Sequence, residues 1–242
     1  MLIAPDYGFI FIHIPKTAGT SVSAALEPLA GYRAPSLWVK LRRRWPGPLP
    51  PRSDHFSAHA KASAVRSRIG PAVFDGFHSF CFVRNPYSHA FSHYGHLRRF
   101  RHERIARKVR QMDFASYLTW RESGARHRHW HHVERVVFMG DQSGFVTDAG
   151  GRVLVSQICH FERLDAEMAG LVALLGLPPI DLPHRHNSGR GLGAQDHAAL
   201  TPDAIASINR IYAADFDRFG YRRATSAEGV FASLSAGPAP LI

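Results

Sequence analysis

Acidic residues are few in this chain, cysteines almost absent, and long hydrophobic runs missing. Cys81 and Cys159 are the only cysteines in 242 residues. Two thiols, neither with a Cys-x-x-Cys partner, exclude a disulfide framework and point to a reducing cytoplasm. No apolar run approaches the ~18 residues of a membrane helix, so stable membrane insertion is not expected. Residues 1–14 lack a basic leader and read as a buried strand, not a signal peptide. Asp plus Glu total 19 against 30 Lys plus Arg, a net charge of +11, and 16 His can add to it below neutral pH. Such a surface attracts polyanions: nucleic acid, anionic polysaccharide or a multiply phosphorylated small molecule.

What is present alternates between strand-like and helix-like. Phe9 to Ile14 is a nearly continuous apolar run stopped by Pro15. Val22, Ala25, Leu26 and Leu29 then recur at helical spacing, so strand, tight loop and helix follow one another. Phe77 to Val83 repeats the buried-strand pattern, and a long helix is expected from Pro86 to about Arg101. Further helices are expected over 60–69, 114–121, 164–175 and 201–219, the last with Thr201 as N-cap and Pro202 at its first position. Ser143 to Thr147 and Arg152 to Cys159 read as strands joined by a turn. Residues 31 to 54 carry Pro46, Pro48, Pro50 and Pro51 and a basic stretch, Lys40 to Arg44. They read as a long excursion, either a substrate loop or a solvated run. The class is α/β with a parallel sheet, one domain over 1–222, followed by a frayed Ala/Ser/Gly/Pro-rich tail over 223–242.

Two strand ends carry chemistry. Pro15-Lys16-Thr17-Ala18-Gly19-Thr20-Ser21 lies between strand and helix. Backbone N–H groups at a helix start favour a phosphate, and Ala18 and Gly19 let the backbone approach it. Thr17, Thr20 and Ser21 bring hydroxyls, and Lys16 a movable positive charge. Lys16 precedes Gly19, which is not the Walker A order. The alternative is a plain N-cap on Thr20 or Ser21 with Lys16 solvated. The second strand ends in Val83-Arg84-Asn85-Pro86-Tyr87, with Ser92 eight residues after Arg84. A guanidinium there offers a planar fork to phosphate oxygens. Ligands of open α/β sheets gather outside the carboxyl ends of the strands, so both candidate anion sites fall on one edge.

These segments resemble the PAPS-dependent sulfotransferases (PAPS is 3′-phosphoadenosine 5′-phosphosulfate), in particular the carbohydrate branch with heparan 2-O- and chondroitin-type enzymes and their bacterial relatives. Phe11 to Ser21 resembles the 5′-phosphosulfate loop. Val83 to Tyr87 with Ser92 and Tyr94 resembles the 3′-phosphate site. His59-Ala60-Lys61-Ala62, Phe161-Glu162-Arg163-Leu164, the 182–187 segment, and Ile211-Tyr212 through Phe219-Gly220-Tyr221 resemble later landmarks in the same order. The likeness covers about residues 8–222. It implies a P-loop-like three-layer α/β/α fold and PAPS as co-substrate. Lys16, Thr17, Gly19, Thr20 and Ser21 would hold the 5′-phosphosulfate, and Arg84 and Ser92 the 3′-phosphate.

Sulfuryl transfer to a hydroxyl needs charge stabilised on the leaving phosphate oxygen and a proton taken from the attacking group. Lys16 is the candidate for the first role and His59 for the second, with His55 as its nearest rival. His13, inside the first strand, reads as a buried core histidine. The acceptor is expected to be a carbohydrate, a glycolipid or another alcohol, acidic if the basic surface selects it. No metal is required. His127 to His132 invites a metal reading, but the arginines Arg126 and Arg128 oppose a cation. Two rival functions are a P-loop kinase, against which the missing Gly-Lys-Ser/Thr argues, and nucleic-acid binding through the basic stripe from Arg98 to Arg110. No recognised reading module accompanies that stripe.

Overall fold

The computed structural model describes residues 1–30, 47–124, 140–183 and 194–239. Along the chain run β1 (Leu2–Ala4), β2 (Phe9–Ile12), α1 (Gly19–Leu26), α2 (Ala62–Ile69), α3 (Pro71–Asp75), β3 (His78–Val83), α4 (Pro86–Arg98), α5 (Glu103–Arg110), α6 (Phe114–Gly124), β4 (Gln157–His160), α7 (Leu164–Leu175), α8 (Ala194–His197), α9 (Pro202–Ile211), α10 (Ala213–Phe219) and α11 (Ala227–Ala236). They fall into two compact units, Met1–Val83 with Gln142–Asn187, and Arg84–Asp141 with Ser188–Ile242.

The first unit holds the sheet, in the order β1-β2-β3-β4. β2, β3 and β4 are parallel, as their unbroken apolarity predicts, and β1 adds an antiparallel edge. Phe9, Phe11, Phe80, Phe82 and Cys159 form one core with Val22 and Leu26 of α1 and Met168 and Leu171 of α7. Each such phenylalanine, removed from water, contributes roughly 1.5–3 kcal/mol. Ile10, Ile12, Cys81 and Val83 alternate to the opposite face and are equally buried. The protein is therefore α/β with a central, mostly parallel sheet covered on both sides. Cys81 and Cys159 are free thiols on opposite faces, which excludes a bond between them.

Parallel pairing fixes what matters for function. Ile10 and Ile12 pair with Ser79 and Cys81. The chain thus leaves β2 and β3 at the same edge of the sheet.

Of the expected hairpin over 143–159 the turn forms, but not the two strands. Thr147 and Val153 pair antiparallel about residues 148–151, with the Asp148 and Leu154 N–H groups donating across it to the Arg152 and Val146 carbonyls, while Ser143–Phe145 is a 3₁₀ turn and residues 157–160 pair in parallel with β3. Alternation marks a strand but does not choose its partner. The single strand read over residues 1–14 divides into β1 and β2, because Pro5–Tyr7 forms a 3₁₀ turn closed by Gly8 at φ 64°.

The second unit is helical among its described residues. Asn85 caps α4, its side chain accepting from the Tyr87 N–H, with Pro86 at the first position. Thr201 caps α9 through the Ala204 N–H, as expected. The single helix expected to Phe219 breaks at Tyr212 (φ −111°, ψ 24°). The buried Tyr212 hydroxyl is 2.7 Å from Arg121 Nη1, which donates to it, and 2.9 Å from His89 Nδ1. The basic stripe includes a helix, α5, anchored by Ile105, Ala106 and Val109 with Arg104, Arg107, Lys108 and Arg110 exposed. The tail, expected to fray from Ala224, instead forms α11. Ser226 caps it, Val230 is buried, and Ser233 accepts from Asn85 Nδ2 at 3.3 Å. A cap and one anchor outweigh the Ala/Ser/Gly composition.

Among the described residues no helix is long and apolar enough to cross a membrane. Lys40 to Arg44, the His127–His132 cluster and residues 184–187 lie outside the described residues.

Candidate functional site

The loop after β2 departs from ordinary backbone geometry. Lys16 (φ 68°) and Ala18 (φ 63°) both occupy the left-handed region, the only non-glycine residues among those described to do so. Each costs on the order of 1 kcal/mol relative to a relaxed residue. Left-handed residues within a turn direct backbone N–H groups into a concavity that suits an anion.

Helix α1 starts two to three residues earlier than the plain cap on Thr20 or Ser21 requires. Ala18 is its N-cap and no side chain caps it. The N–H groups of Ser21 and Val22 both turn back to the Ala18 carbonyl, at 2.9 and 3.1 Å. Thr20 and Ser21 therefore lie inside the first turn, Thr20 exposed and Ser21 half-buried. An uncapped helix start with hydroxyls in its first turn is an anion-binding arrangement. Lys16 is half-buried beside it. Thr17 is fully buried and its hydroxyl donates to the Ile14 carbonyl at 2.9 Å. That bond holds the turn closed, so Thr17 offers a ligand its backbone and not its hydroxyl hydrogen.

Gly19 has no substitute here. A Cβ at that position would stand 1.9 Å from His13 Cδ2, inside the ring's own volume.

His59 lies in the same unit, in the turn that precedes α2, closed by the Ala60 N–H donating to the Ser57 carbonyl at 3.1 Å. Its Nδ1 is 3.1 Å from the His13 carbonyl oxygen. A carbonyl only accepts, so Nδ1 carries the hydrogen and Nε2 keeps a basic lone pair. The residue is exposed, while burial of the side that meets His13 holds its pKa below the usual histidine value. The hydrogen bond to His13 opposes that shift, and the nearby Met1 amino group adds to it. His59 is thus neutral at pH 7 and fit to accept a proton. His55, the rival base, is buried at the end of a 3₁₀ turn.

His13 is nine-tenths buried, and its pKa is lowered from 6.5 to about 2, first by burial and then by His59, the Met1 amino group and Lys16. The unfolded chain therefore binds a proton on this residue between pH 6.5 and about 2 and the folded chain does not. Stability contributed by the neutral ring is complete above pH 6.5 and is lost as pH falls. The expected loss from pH 7 to pH 5 is about 2 kcal/mol, measured by chemical denaturation, and His13→Phe is expected to flatten that slope.

In the second unit, Arg84 is buried and its Nε donates to Ser88 Oγ at 2.9 Å. Ser88 in turn donates to the Asn85 carbonyl at 3.1 Å. The sequence singles out Ser92, but Ser88 is the serine bonded to Arg84. Four-residue spacing sets Ser88 and Ser92 on one face of α4, with Ser92 half-buried a turn further on. That spacing was the available signal for Ser88. No cluster of three or more metal-ligating side chains occurs among the described residues.

The family model described as the sulfotransferase family matches residues 1–222 of this chain. No curated protein matches. Among solved structures, a sulfotransferase from Alicyclobacillus acidocaldarius aligns with a TM-score of 0.40 and 14% sequence identity, covering 84% of this chain and 94% of that one.

Proposed function

Because the chain belongs to the sulfotransferase family, we propose that it is a PAPS-dependent O-sulfotransferase acting on a carbohydrate or glycolipid hydroxyl. The observation that carries this reading is the bond from His59 Nδ1 to the carbonyl of His13, three residues before Lys16. It attaches a neutral base to the segment that leads into the anion loop. The concave backbone at Lys16 and Ala18 and the uncapped start of α1 fit the 5′-phosphosulfate end of the donor.

In the proposed division of labour, the N–H groups of Gly19 and Thr20 and the hydroxyls of Thr20 and Ser21 bind phosphosulfate oxygens. Lys16 places its ammonium against the oxygen that bridges phosphorus and sulfur, where negative charge accumulates as that bond breaks. Arg84 and Ser92 hold the 3′-phosphate, with Ser88 keeping the guanidinium in place. His59 takes the proton of the acceptor hydroxyl at Nε2 as oxygen attacks sulfur. PAPS supplies the sulfuryl group. Lysine, arginine and backbone donors serve its charge, and the proposal invokes no metal.

An acidic or neutral glycan is the proposed acceptor class, supported by the net charge of +11 and by the exposed basic side chains of α5. A cytoplasmic setting belongs to the same proposal, supported by two buried thiols that stay free. The test is transfer of label from sulfur-labelled PAPS to a panel of glycans and glycolipids. Labelled product with equimolar adenosine 3′,5′-bisphosphate is expected. Phosphorylation of the panel by γ-labelled ATP, with no sulfuryl transfer, would move the assignment to a kinase.

A further inference from the structure

One residue touches both halves of the first unit's candidate machinery. His13 lies between the end of β2 and the loop. Its carbonyl accepts from His59 Nδ1 at 3.1 Å. Its ring stands edge-on to the His59 ring, with centroids 4.5 Å apart and planes at 71°. The same ring occupies the space a side chain at Gly19 would need, which would stand 1.9 Å from Cδ2 and 2.1 Å from Nε2. Its Nδ1 is 3.5 Å from Ser23 Oγ on α1, and the ring stacks on Phe11 of β2 at 5.8 Å and 16°.

We propose that His13 is a positioning residue that sets the tautomer and orientation of His59 and ties them to the start of α1. The proposal deepens the sulfotransferase reading and rests on His59 being the base.

The chemistry follows from the contacts. The carbonyl alone selects the Nδ1–H form of His59, but a single hydrogen bond lets an exposed imidazole rotate about its own axis. The edge-on ring of His13 closes that freedom on one side and shields the bond from water. Phe11, Gly19 and Ser23 hold the His13 ring in turn, so it is wedged between sheet and helix. Shifting α1 at Gly19, where a phosphosulfate would be bound, shifts the wall against which His59 stands. The wedge also has to be uncharged. A proton on His13 would face Lys16, His59 and the Met1 amino group, the groups that lower its pKa.

The test uses the full chain with nitrogen-labelled histidine. Long-range proton–nitrogen spectra report tautomer and titration for each ring, and His59→Gln assigns the His59 signals. In the wild type, His59 is expected as one tautomer, protonated on Nδ1, titrating below the ordinary histidine value. In His13→Ala, the preference for that tautomer is expected to fall by about fivefold or more, the factor carried by about 1 kcal/mol. Its midpoint is expected to rise as water reaches the bond. His13→Leu, close in volume but unable to stand edge-on, is expected to move both in the same direction and covers the case in which the alanine variant does not fold.

The kinetic counterpart is a double-substitution cycle in transfer from labelled PAPS to the glycan that the panel identifies. His13→Ala is expected to lower kcat by tenfold or more in the wild type and by less than twofold in His59→Ala, since a positioning residue has nothing left to position. A folded His13→Ala or His13→Leu protein with the wild-type His59 tautomer and midpoint would overturn the inference. Equal losses in both backgrounds would overturn it too. Full transfer activity in His59→Ala would instead remove the base reading, while the spectra would still report whether the two rings are coupled.

Discussion

His59→Ala is expected to slow sulfuryl transfer by about 10²–10⁴-fold, the range that removal of a general base produces. Affinity for adenosine 3′,5′-bisphosphate should be nearly unchanged, because His59 faces the acceptor and not the nucleotide in this account. The pH dependence of kcat/KM gives an independent check. Rate should fall on the acid side as Nε2 becomes protonated. Burial against His13 lowers that pKa, so the fall should come at lower pH than an ordinary histidine gives. It should disappear in the alanine variant. Wild-type rates in His59→Ala would leave the exposed imidazole without a catalytic role.

Lys16→Ala should cost about 10²–10³-fold in kcat, comparable to removing one preorganised donor from a developing oxyanion. Its effect divides differently from that of His59. Lys16 meets the donor in the ground state as well as in the transition state, so PAPS affinity should weaken too. Lys16 also sits at φ 68°, where alanine is no better accommodated than lysine. The backbone strain is therefore retained in the variant, and the loss reports the ammonium. Lys16→Arg keeps the charge, but its broad, planar head does not reproduce a compact ammonium, so only partial recovery is expected. A variant with full kcat and reduced nucleotide affinity would make Lys16 a binding group only.

Much of this was open to inspection in the primary structure because it is local. The apolar run before Pro15, the small residues after it and the helical spacing from Val22 define strand, loop and helix within twenty residues. Asn85-Pro86 marks the start of α4 for the same reason: a side-chain cap and a proline at the first position act over three residues. The left-handed geometry of Lys16 and Ala18 was not legible, because neither residue favours it and the loop imposes it.

Long-range partners were the other blind spot. Nothing in the order of residues connects His59 with a carbonyl 46 positions earlier. Reading His13 as a core histidine captures its burial but not its contacts with His59. β4 shows the same limit, since its residues announce a strand without naming β3 as the neighbour. Arg84 and Ser88 show an intermediate case. Their four-residue spacing across a helix start was visible, yet the resemblance drew attention to Ser92.

In the proposed function, Arg84 takes the 3′-phosphate of a nucleotide phosphorylated at both the 3′ and 5′ positions. Isothermal titration of the purified full chain tests it most directly, comparing adenosine 3′,5′-bisphosphate with adenosine 5′-monophosphate. The account predicts tight binding of the bisphosphate and weaker binding of the monophosphate, with the difference abolished in Arg84→Ala. Equal affinity for the two nucleotides in the wild type, or a preference that survives the loss of Arg84, would contradict it.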